Sequence, residues 1–479
     1  MSILLATCVM AASLFALWGA SHNLGERNDD TYITLTYAKS LAAGEGWRYN
    51  GGSETLGTTA PLFALFMAGL ARLLPTIPLE HLAVAWSTVC WIATAWLLFL
   101  GHRGFGLTQV EGMLLALAAL LQGGWWFIAL GMEMSMLLFG LTLTIWLAAR
   151  GHAFLSGAVS ASLFLVRPEG IGVVPLTAGW LLWRHREEWR EQAPRFLLGA
   201  TLPLLLWAAY ALPKFGSLLP NSAIAKLGQG DGWPGNSFIE RLLREWLPPY
   251  IASYGLSTTL SLVWPLVALG MLRTVRHTRP MLLFAAWLAV FLLAYALLGA
   301  PGYWWYTLPV LFILQLFVTL GLSTLLVRQE AWFRGLGLLL ALLFLGTSLQ
   351  IGVQGIEKYT GDPRASTYHN AASWLNEHAP SNSNVASIEI GYLGYFTDHH
   401  IVDLAGLTMP DFTENANRLD FATNFWQVEP DYLLYHSAFD WALGPITLDP
   451  RFPTHYRPVA ELPSHWGSPL QVYKRVGRH

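Results

Sequence analysis

The stretch NLGERNDDTYITLTYAKSLAAGEGWRYN, residues 23–50, follows an apolar run and sets two adjacent carboxylates, Asp29 and Asp30, at its edge. Neighbouring acids repel, and a charge close to hydrocarbon is costly. Asp30 or Thr31 is expected to cap a helix over 31–43, with Gly44 and Gly46 ending it. Ile33, Tyr37 and Leu41 share one face, so this helix is expected to lie along a membrane with its acids at the N-terminal end. The plain reading of the pair is an N-cap beside a solvated charge.

The surrounding composition is that of a membrane protein. Of 479 residues, 54% are hydrophobic and 12% charged, against roughly 25% charged in soluble domains. There are 23 tryptophans, as expected where rings sit at lipid headgroups. The formal net charge is −2 and no basic domain or nucleic-acid motif is present, which sets nucleic-acid partners aside. Cys8 and Cys90 lie in apolar runs and read as small core residues. The start MSILLATCVM lacks a basic n-region, and Thr7 before Cys8 is a poor lipoprotein cleavage signal; it reads as an uncleaved first span.

Apolar runs of near-spanning length predict about eleven spans, at 2–22, 79–101, 107–123, 134–149, 153–166, 170–183, 196–213, 255–273, 280–298, 304–327 and 333–353. With the N-terminus inside, the connections GHRGFG, ARGHA, WRHREEWREQAPR, RTVRHTRP and RQEAWFR are cytoplasmic. They carry Arg103, Arg150, Arg184, Arg186, Arg190, Arg195, Arg273, Arg276, Arg279, Arg328 and Arg334, a positive-inside pattern. The pattern holds only if APLFALFMAGLARLL, residues 60–74, does not cross; it is read as an interfacial or re-entrant helix. In the alternative, 60–74 spans and another short run does not.

The chain thus divides into a transmembrane domain, 1–353, with a first outer loop at 23–78, and an extracytoplasmic domain, 354–479. The cell inner (plasma) membrane is the expected location. In the outer domain, STYHNAASWLNEHA reads as an amphipathic helix, and NVASIEIG, HIVDLAG, DYLLYHS and LQVYKRV read as strands of a small α/β fold. Asp398, His399, His400 and Asp403 cluster in TDHHIVDLAGL; an exposed turn is expected, since a metal site wants three or four convergent ligands.

On the outer face lie Asp29, Asp30, Glu133, Arg167, Glu169, the loop 214–254 and APGYWWY. The whole of DDTYITLTYAKSLAAGEGWRYNGGSETLGTTAPLFALFMA resembles the first outer loop of GT-C membrane glycosyltransferases. The likeness is to the polyprenyl-phosphosugar-dependent branch, with its arabinofuranosyltransferases and protein mannosyltransferase-like members. It rests on the two acids, Tyr32, the helix to Ala43, the glycines, Trp47, Tyr49–Asn50 and TTAPL. ALGMEMSMLLFGL is similar to the family's GLE segment, with Met132 in place of Leu. FLVRPEGIGVVPL, FGSLLPNSAIAKLG and GYLGYFTDHHIVDLAGL match further segments in order.

This resemblance implies a GT-C fold and transfer of a sugar from a polyprenyl phosphate to an acceptor hydroxyl, on a glycan, lipid or protein. The family's base corresponds to Asp29; a carboxylate that takes the hydroxyl proton as the bond forms contributes about 10²–10⁴-fold. Asp30 would hold Asp29, orient the acceptor or help bind a divalent cation such as Mg²⁺ or Mn²⁺. The departing phosphate needs cations aimed at it. Lys226 is the first choice, with Arg48 and Arg167 behind it. Against these stand an interfacial snorkelling lysine and an Arg167–Glu169 pair. Glu133 is read as an acceptor or metal ligand, or as a helix-end acid. Tyr32, Tyr49, Asn50, Asn221 and Tyr306 are candidate substrate contacts. Competing classes are a polytopic transporter, although no internal repeat is evident, and a non-catalytic scaffold with an outer sensor domain.

Overall fold

The computed structural model describes residues 2–22, 24, 27–121, 131–232, 237–254, 261–359 and 361–477, without the side chains of 230–232. Long apolar sequences give a helical bundle: α1 (Ser2–His22), α4 (Leu79–Leu100), α5 (Gln109–Leu121), α6 (Met134–Ala149), α7 (Ala153–Val166), α8 (Val173–Arg184), α9 (Trp189–Phe215), α11 (Val263–Arg276), α12 (Leu282–Leu297), α13 (Thr307–Leu326) and α14 (Ala331–Lys358). Six helices among the described residues are long and apolar enough to cross a membrane: α1, α4, α9, the stretch Arg279–Leu297, the stretch Trp304–Leu326 and α14. Leucines on α9 and α14 remain exposed, as expected of surfaces that meet lipid rather than water. Where helices touch, small residues permit close approach: a Cβ on Gly270 would lie 2.0 Å from the Phe317 carbonyl oxygen, and one on Gly321 2.0 Å from that of Leu266.

The expected spans hold as helices, with shifted ends. The run at 196–213 begins earlier, at Trp189, and α14 extends beyond 353 to Lys358, so the boundary placed at 354 falls inside a continuous helix. The first six residues of the run at 255–273, and the last two of that at 107–123, lie outside the described residues.

Two helices of the loop between α1 and α4, α2 (Asp29–Ala43) and α3 (Pro61–Leu73), belong to a second core, apart from the main bundle core. Arg72 of α3 donates to the carbonyls of Ala42 (2.7 Å) and Leu41 (3.1 Å), satisfying the free C-terminal end of α2. The pair shares one apolar core with the outer domain, through Tyr32, Tyr37, Phe63 and Met67 on one side and Tyr368, Leu375, Tyr392 and Leu393 on the other. Helix α2 is therefore buried on nearly every face, rather than lying along the membrane with one apolar side.

The C-terminal domain, the outer domain of the topology expected from sequence, is a five-stranded sheet with helices on both faces. Strands β1 (Asn384–Ser387), β2 (His400–Asp403), β3 (Tyr432–Tyr435), β4 (Tyr456–Leu462) and β5 (Leu470–Arg475) lie in the order β2-β1-β3-β5-β4. β1 runs parallel to β2 and β3, with Asn384 opposite His400 and Val385 opposite Tyr432. β5 pairs antiparallel with β3 and β4. β4 is an edge strand that sequence reading misses; its Pro458 is tolerable because only one side is paired. Side chains alternate between two cores: Val385, Ile401, Tyr432 and Leu434 face α15 (Ala365–His378) and α16 (Gly391–Phe396). Ala386, Val402 and Leu433 face α17 (Pro410–Asn417), α18 (Phe421–Val428) and α19 (Asp440–Thr447). Helix α10 (Asn221–Gly232) lies in the long loop between α9 and α11.

Candidate functional site

Neither acid of the pair caps the helix. Asn28, not Asp30 or Thr31, is the N-cap of α2; its side-chain oxygen accepts from the Asp30 N–H at 3.0 Å. Asp29 and Asp30 thus both fall in the first helical turn and diverge.

Asp29 is 4% exposed. Its Oδ2 accepts from Gly391 N–H and its Oδ1 from Tyr392 N–H, both at 2.9 Å. The fit demands glycine: a Cβ on Gly391 would lie 1.9 Å from the Asp29 carbonyl oxygen. Burial raises the Asp29 proton affinity well above the usual carboxylate range, and nearby Glu389 adds to it, against the pull of Arg364 and the two N–H donors.

Asp30 instead pairs with Lys226 of α10, Oδ2 to Nζ, at 2.8 Å. The ammonium lies 5.0 Å from the Tyr303 ring centre and 5.5 Å from that of Trp305. Burial works against this charge, but Asp30, Tyr306 and Tyr303 outweigh it and hold Lys226 protonated above its usual range.

Arg167 sits nearby in a closed arrangement. Its side chain is 4% exposed and donates to Glu133 through Nη1 and to Glu169 through Nε. The guanidinium stands 5.0 Å from the Tyr306 ring centre. Its expected pairing with Glu169 is therefore present, and Glu133, at the N-terminal end of α6 as the helix-end reading expected, is a second counter-ion.

Three hollows connect these groups. An apolar groove of about 310 Å³ carries Arg167, Lys226 and Tyr306 at its polar margin, with Leu219, Ile224 and Leu227 along it. A tight throat shares Arg167 and Lys226 with that groove and Asp30 and Trp305 with the next hollow. That is a cavity of about 250 Å³ with a mixed polar and apolar lining, which includes Asp29, Asp30, Tyr303 and Trp305 and, from the outer domain, Arg364, Glu389 and Trp441.

The remaining candidates lie elsewhere. Arg48 donates to the carbonyls of Glu45 (3.1 Å) and Gly52 (2.9 Å), pinning its own turn, and lines none of the three hollows. Tyr32, Tyr49, Asn50 and Asn221 are docking residues at the seam with the outer domain. Tyr32 packs on Tyr392 at 4.7 Å. Tyr49 donates to the Ile390 carbonyl at 2.7 Å, and Asn50 to those of Thr397 and His399, each at 3.1 Å. Asn221 donates to those of Gly406 (2.7 Å) and Leu407 (3.1 Å). Buried carbonyls need donors, and these side chains supply them.

The histidine cluster is not the exposed turn expected. Asp398 is exposed, but His399 is buried, its Nε2 3.2 Å from the Leu375 carbonyl oxygen, and His400 Nδ1 is 2.8 Å from Asn384 Oδ1. Asp403 closes the DLAGL turn by accepting from Ala405 N–H (3.0 Å) and Thr408 N–H (2.7 Å), while burial pushes it up to about 6. Among the described residues no group of three or more His, Cys, Asp or Glu side chains is placed to hold a metal ion. The donor set also does not fit a divalent cation: Asp29 is held by N–H groups, Asp30 by Lys226 and Glu133 by Arg167.

Sequence reading misses Glu389, Arg364 and Trp441. A signal exists for Glu389, which sits just past the carboxyl end of β1, where α/β sheets place ligand groups.

Comparison with known proteins bears on the fold. Residues 356–475 match a model described as a domain of unknown function (DUF8728). No curated protein matches. Among solved structures, the chain is similar to the archaeal oligosaccharyltransferase AglB from Archaeoglobus fulgidus, in complex with an inhibitory peptide and a dolichol-phosphate. That match has 10% identity and a TM-score of 0.59, and covers 99% of this chain and 74% of AglB. It is also similar to ArnT from Cupriavidus metallidurans, at 16% identity and a TM-score of 0.57, over 97% of each chain. The fold is GT-C, multi-pass and membrane-embedded, as the sequence segments implied.

Proposed function

We propose that this chain is a glycosyltransferase that moves a sugar from a polyprenyl-phosphate donor to an acceptor hydroxyl at the outer face of the membrane, in assembly of a cell-envelope glycan, glycolipid or glycoprotein. The observation that carries this reading is the run from apolar groove to cationic margin to acidic cavity. A prenyl chain fits the groove, its phosphate meets Lys226 beside Arg167, and its sugar reaches the throat at Asp30. The dolichol-phosphate in the AglB complex is a ligand of the same class. Either a hexose or a pentose is compatible with this reading.

In this mechanism the acceptor oxygen attacks the anomeric carbon as the bond to phosphate breaks. Asp29 takes the hydroxyl proton, and the departing phosphate keeps the bonding pair. An ionised carboxylate has about four lone-pair positions; two on Asp29 hold backbone N–H groups, which leaves capacity for the proton. Raised proton affinity brings such a base closer to its working pH. The Lys226 ammonium has three N–H donors; one serves Asp30 in this structure, and the incoming phosphate shares or replaces that contact. Direct displacement inverts the anomeric centre. Arg167, paired with two carboxylates, holds the throat's shape and adds little uncompensated charge. No step is routed through a cation.

Orientation belongs to the same proposal: N-terminus cytoplasmic, outer domain extracytoplasmic, in the inner (plasma) membrane, supported by the eleven arginines on one set of connections. A thiol placed at Asp398 is expected to label from outside and one at Arg190 is not; the reverse result refutes it.

Binding tests the donor site. Purified protein in lipid nanodiscs should bind polyprenyl phosphate, and Lys226→Ala should weaken that binding about 10- to 150-fold, the range of a charge-assisted hydrogen bond. Equal binding by a folded alanine variant would reduce Lys226 to an interfacial anchor.

A further inference from the structure

The cavity has two walls of different origin. One is the first outer loop and the aromatic segment around Tyr303; the other is the outer domain. The outer-domain wall combines a carboxylate, Glu389, with two half-buried rings, Phe439 and Trp441. Nothing in the proposed donor chemistry uses these three residues.

Glu389 is held in place. Arg364 donates through Nη1 to Glu389 Oε1 at 2.6 Å, while its Nε and Nη2 grip Asp362 at 3.0 and 2.7 Å. This two-sided grip fixes the guanidinium plane, so the carboxylate it holds has little freedom. The Glu389 side chain is 20% exposed, and its second oxygen accepts no hydrogen bond among the described residues. It presents an acceptor to the cavity beside Asp29, whose proton affinity it raises.

Charge then restricts the ligand. One guanidinium, Arg364, faces three carboxylates, Asp29, Asp362 and Glu389. Asp30 is already neutralised by Lys226. The Arg241 guanidinium, on the facing wall, is engaged by Glu245 at 2.8 Å and by the Gly302 carbonyl oxygen at 2.7 Å. An anionic group placed here would be repelled. A ligand with hydroxyl donors for a carboxylate and a flat C–H face for an aromatic ring is favoured, and a neutral sugar ring has both.

Resting on the transferase reading above, we infer that the acceptor is a neutral carbohydrate, bound by the outer domain. Its ring packs against Trp441 and Phe439, and a hydroxyl next to the reacting one donates to Glu389. Arg364 is a positioning residue for Glu389. The outer domain thereby selects the acceptor, while the bundle holds the donor.

The test uses the full chain in nanodiscs, with a panel of neutral methyl glycosides at millimolar concentration read by saturation-transfer NMR, and polyprenyl phosphate binding measured in parallel. At least one glycoside is expected to receive saturation at its ring C–H protons. Trp441→Ala should abolish the signal. Glu389→Gln, which keeps size and an oxygen for Arg364, should weaken glycoside affinity about 3- to 10-fold. Both variants should bind polyprenyl phosphate within about twofold of the parent. Because Trp441 packs on Phe421 at 5.6 Å, the glutamine variant carries the conclusion if the alanine variant misfolds. Polyprenyl phosphate binding with no glycoside binding overturns the carbohydrate acceptor and leaves the transferase reading intact. Glycoside binding unmoved by either substitution overturns the assignment of this wall. Loss of polyprenyl phosphate binding in the parent protein itself overturns the transferase reading.

Discussion

Two cations lie at the same end of the bundle, and their surroundings differ. Arg167 is enclosed by Glu133 and Glu169, each side chain under a tenth exposed. Lys226 has one carboxylate partner, Asp30, and its side chain is 12% exposed against 4% for Arg167. A buried guanidinium with two counter-ions acts as a structural clamp: it joins the start of α6 to the turn after α7, and its charge is already compensated. An ammonium with one counter-ion at the margin of an apolar groove can exchange that partner for a phosphate. Both carry the same formal charge, so in the proposed reaction burial and the number of counter-ions are what favour Lys226 over Arg167 for the donor phosphate.

Substitution separates the two. Arg167→Ala leaves two carboxylates buried without a cation and should destabilise the protein by about 3–5 kcal/mol, seen as early thermal unfolding in detergent. Adding Glu133→Gln and Glu169→Gln should restore much of that loss; failure to restore any would mean that packing, not charge, is what Arg167 supplies. Lys226→Ala should unfold at nearly the parent temperature, because Asp30 remains in reach of cavity water, while losing donor-phosphate affinity as stated above. Lys226→Arg should recover part of that affinity, since charge is kept and geometry changes. If the two alanine variants lose stability equally, the distinction between clamp and ligand site falls.

A smaller effect is expected at the seam. Asn221→Ala removes donors from two buried carbonyls, a loss of about 1–2 kcal/mol. Hydrogen exchange across 403–413 should quicken, with donor binding unchanged. Acid sensitivity supplies the mildest test. Protonated Asp29 cannot accept a proton, so kcat/KM should fall as pH drops through its pKa. Because burial and Glu389 raise that pKa, the fall should begin above the ordinary aspartate value of about 3.9. Glu389→Gln removes a like charge and should move this acid limb to lower pH.

Much of the fold is legible in the sequence where local rules govern. Apolar run length marks out the bundle, and strand alternation marks four of the five strands. β4 escapes because Pro458 and its exposed charged residues read as loop; only pairing with β5 makes it a strand. The acids stand out through their place after an apolar run, but their partners do not. Asp29 meets Gly391 and Tyr392 across more than 360 residues of chain, and no periodicity reports such a contact. Tyr49, Asn50 and Asn221 sit near the site, and their side chains dock the outer domain. A polar side chain in such a place looks like a ligand until the carbonyl it satisfies is visible. His399 reads as surface because its burial depends on α15, which precedes it in the chain and covers it in space.

The most direct measurement is turnover of a radiolabelled polyprenyl-phosphosugar by the full chain in nanodiscs, comparing parent and Asp29→Asn. An asparagine amide opposes one of the two N–H donors at Gly391 and Tyr392, so hydrogen exchange at these positions must accompany the assay to show that the outer domain stays docked. With docking intact, release of polyprenyl phosphate is expected to slow at least about 100-fold while donor binding persists. A docked asparagine variant that turns over at the parent rate would remove Asp29 from the chemistry, and a parent protein that neither binds nor consumes any polyprenyl-phosphosugar would contradict the proposed reaction itself.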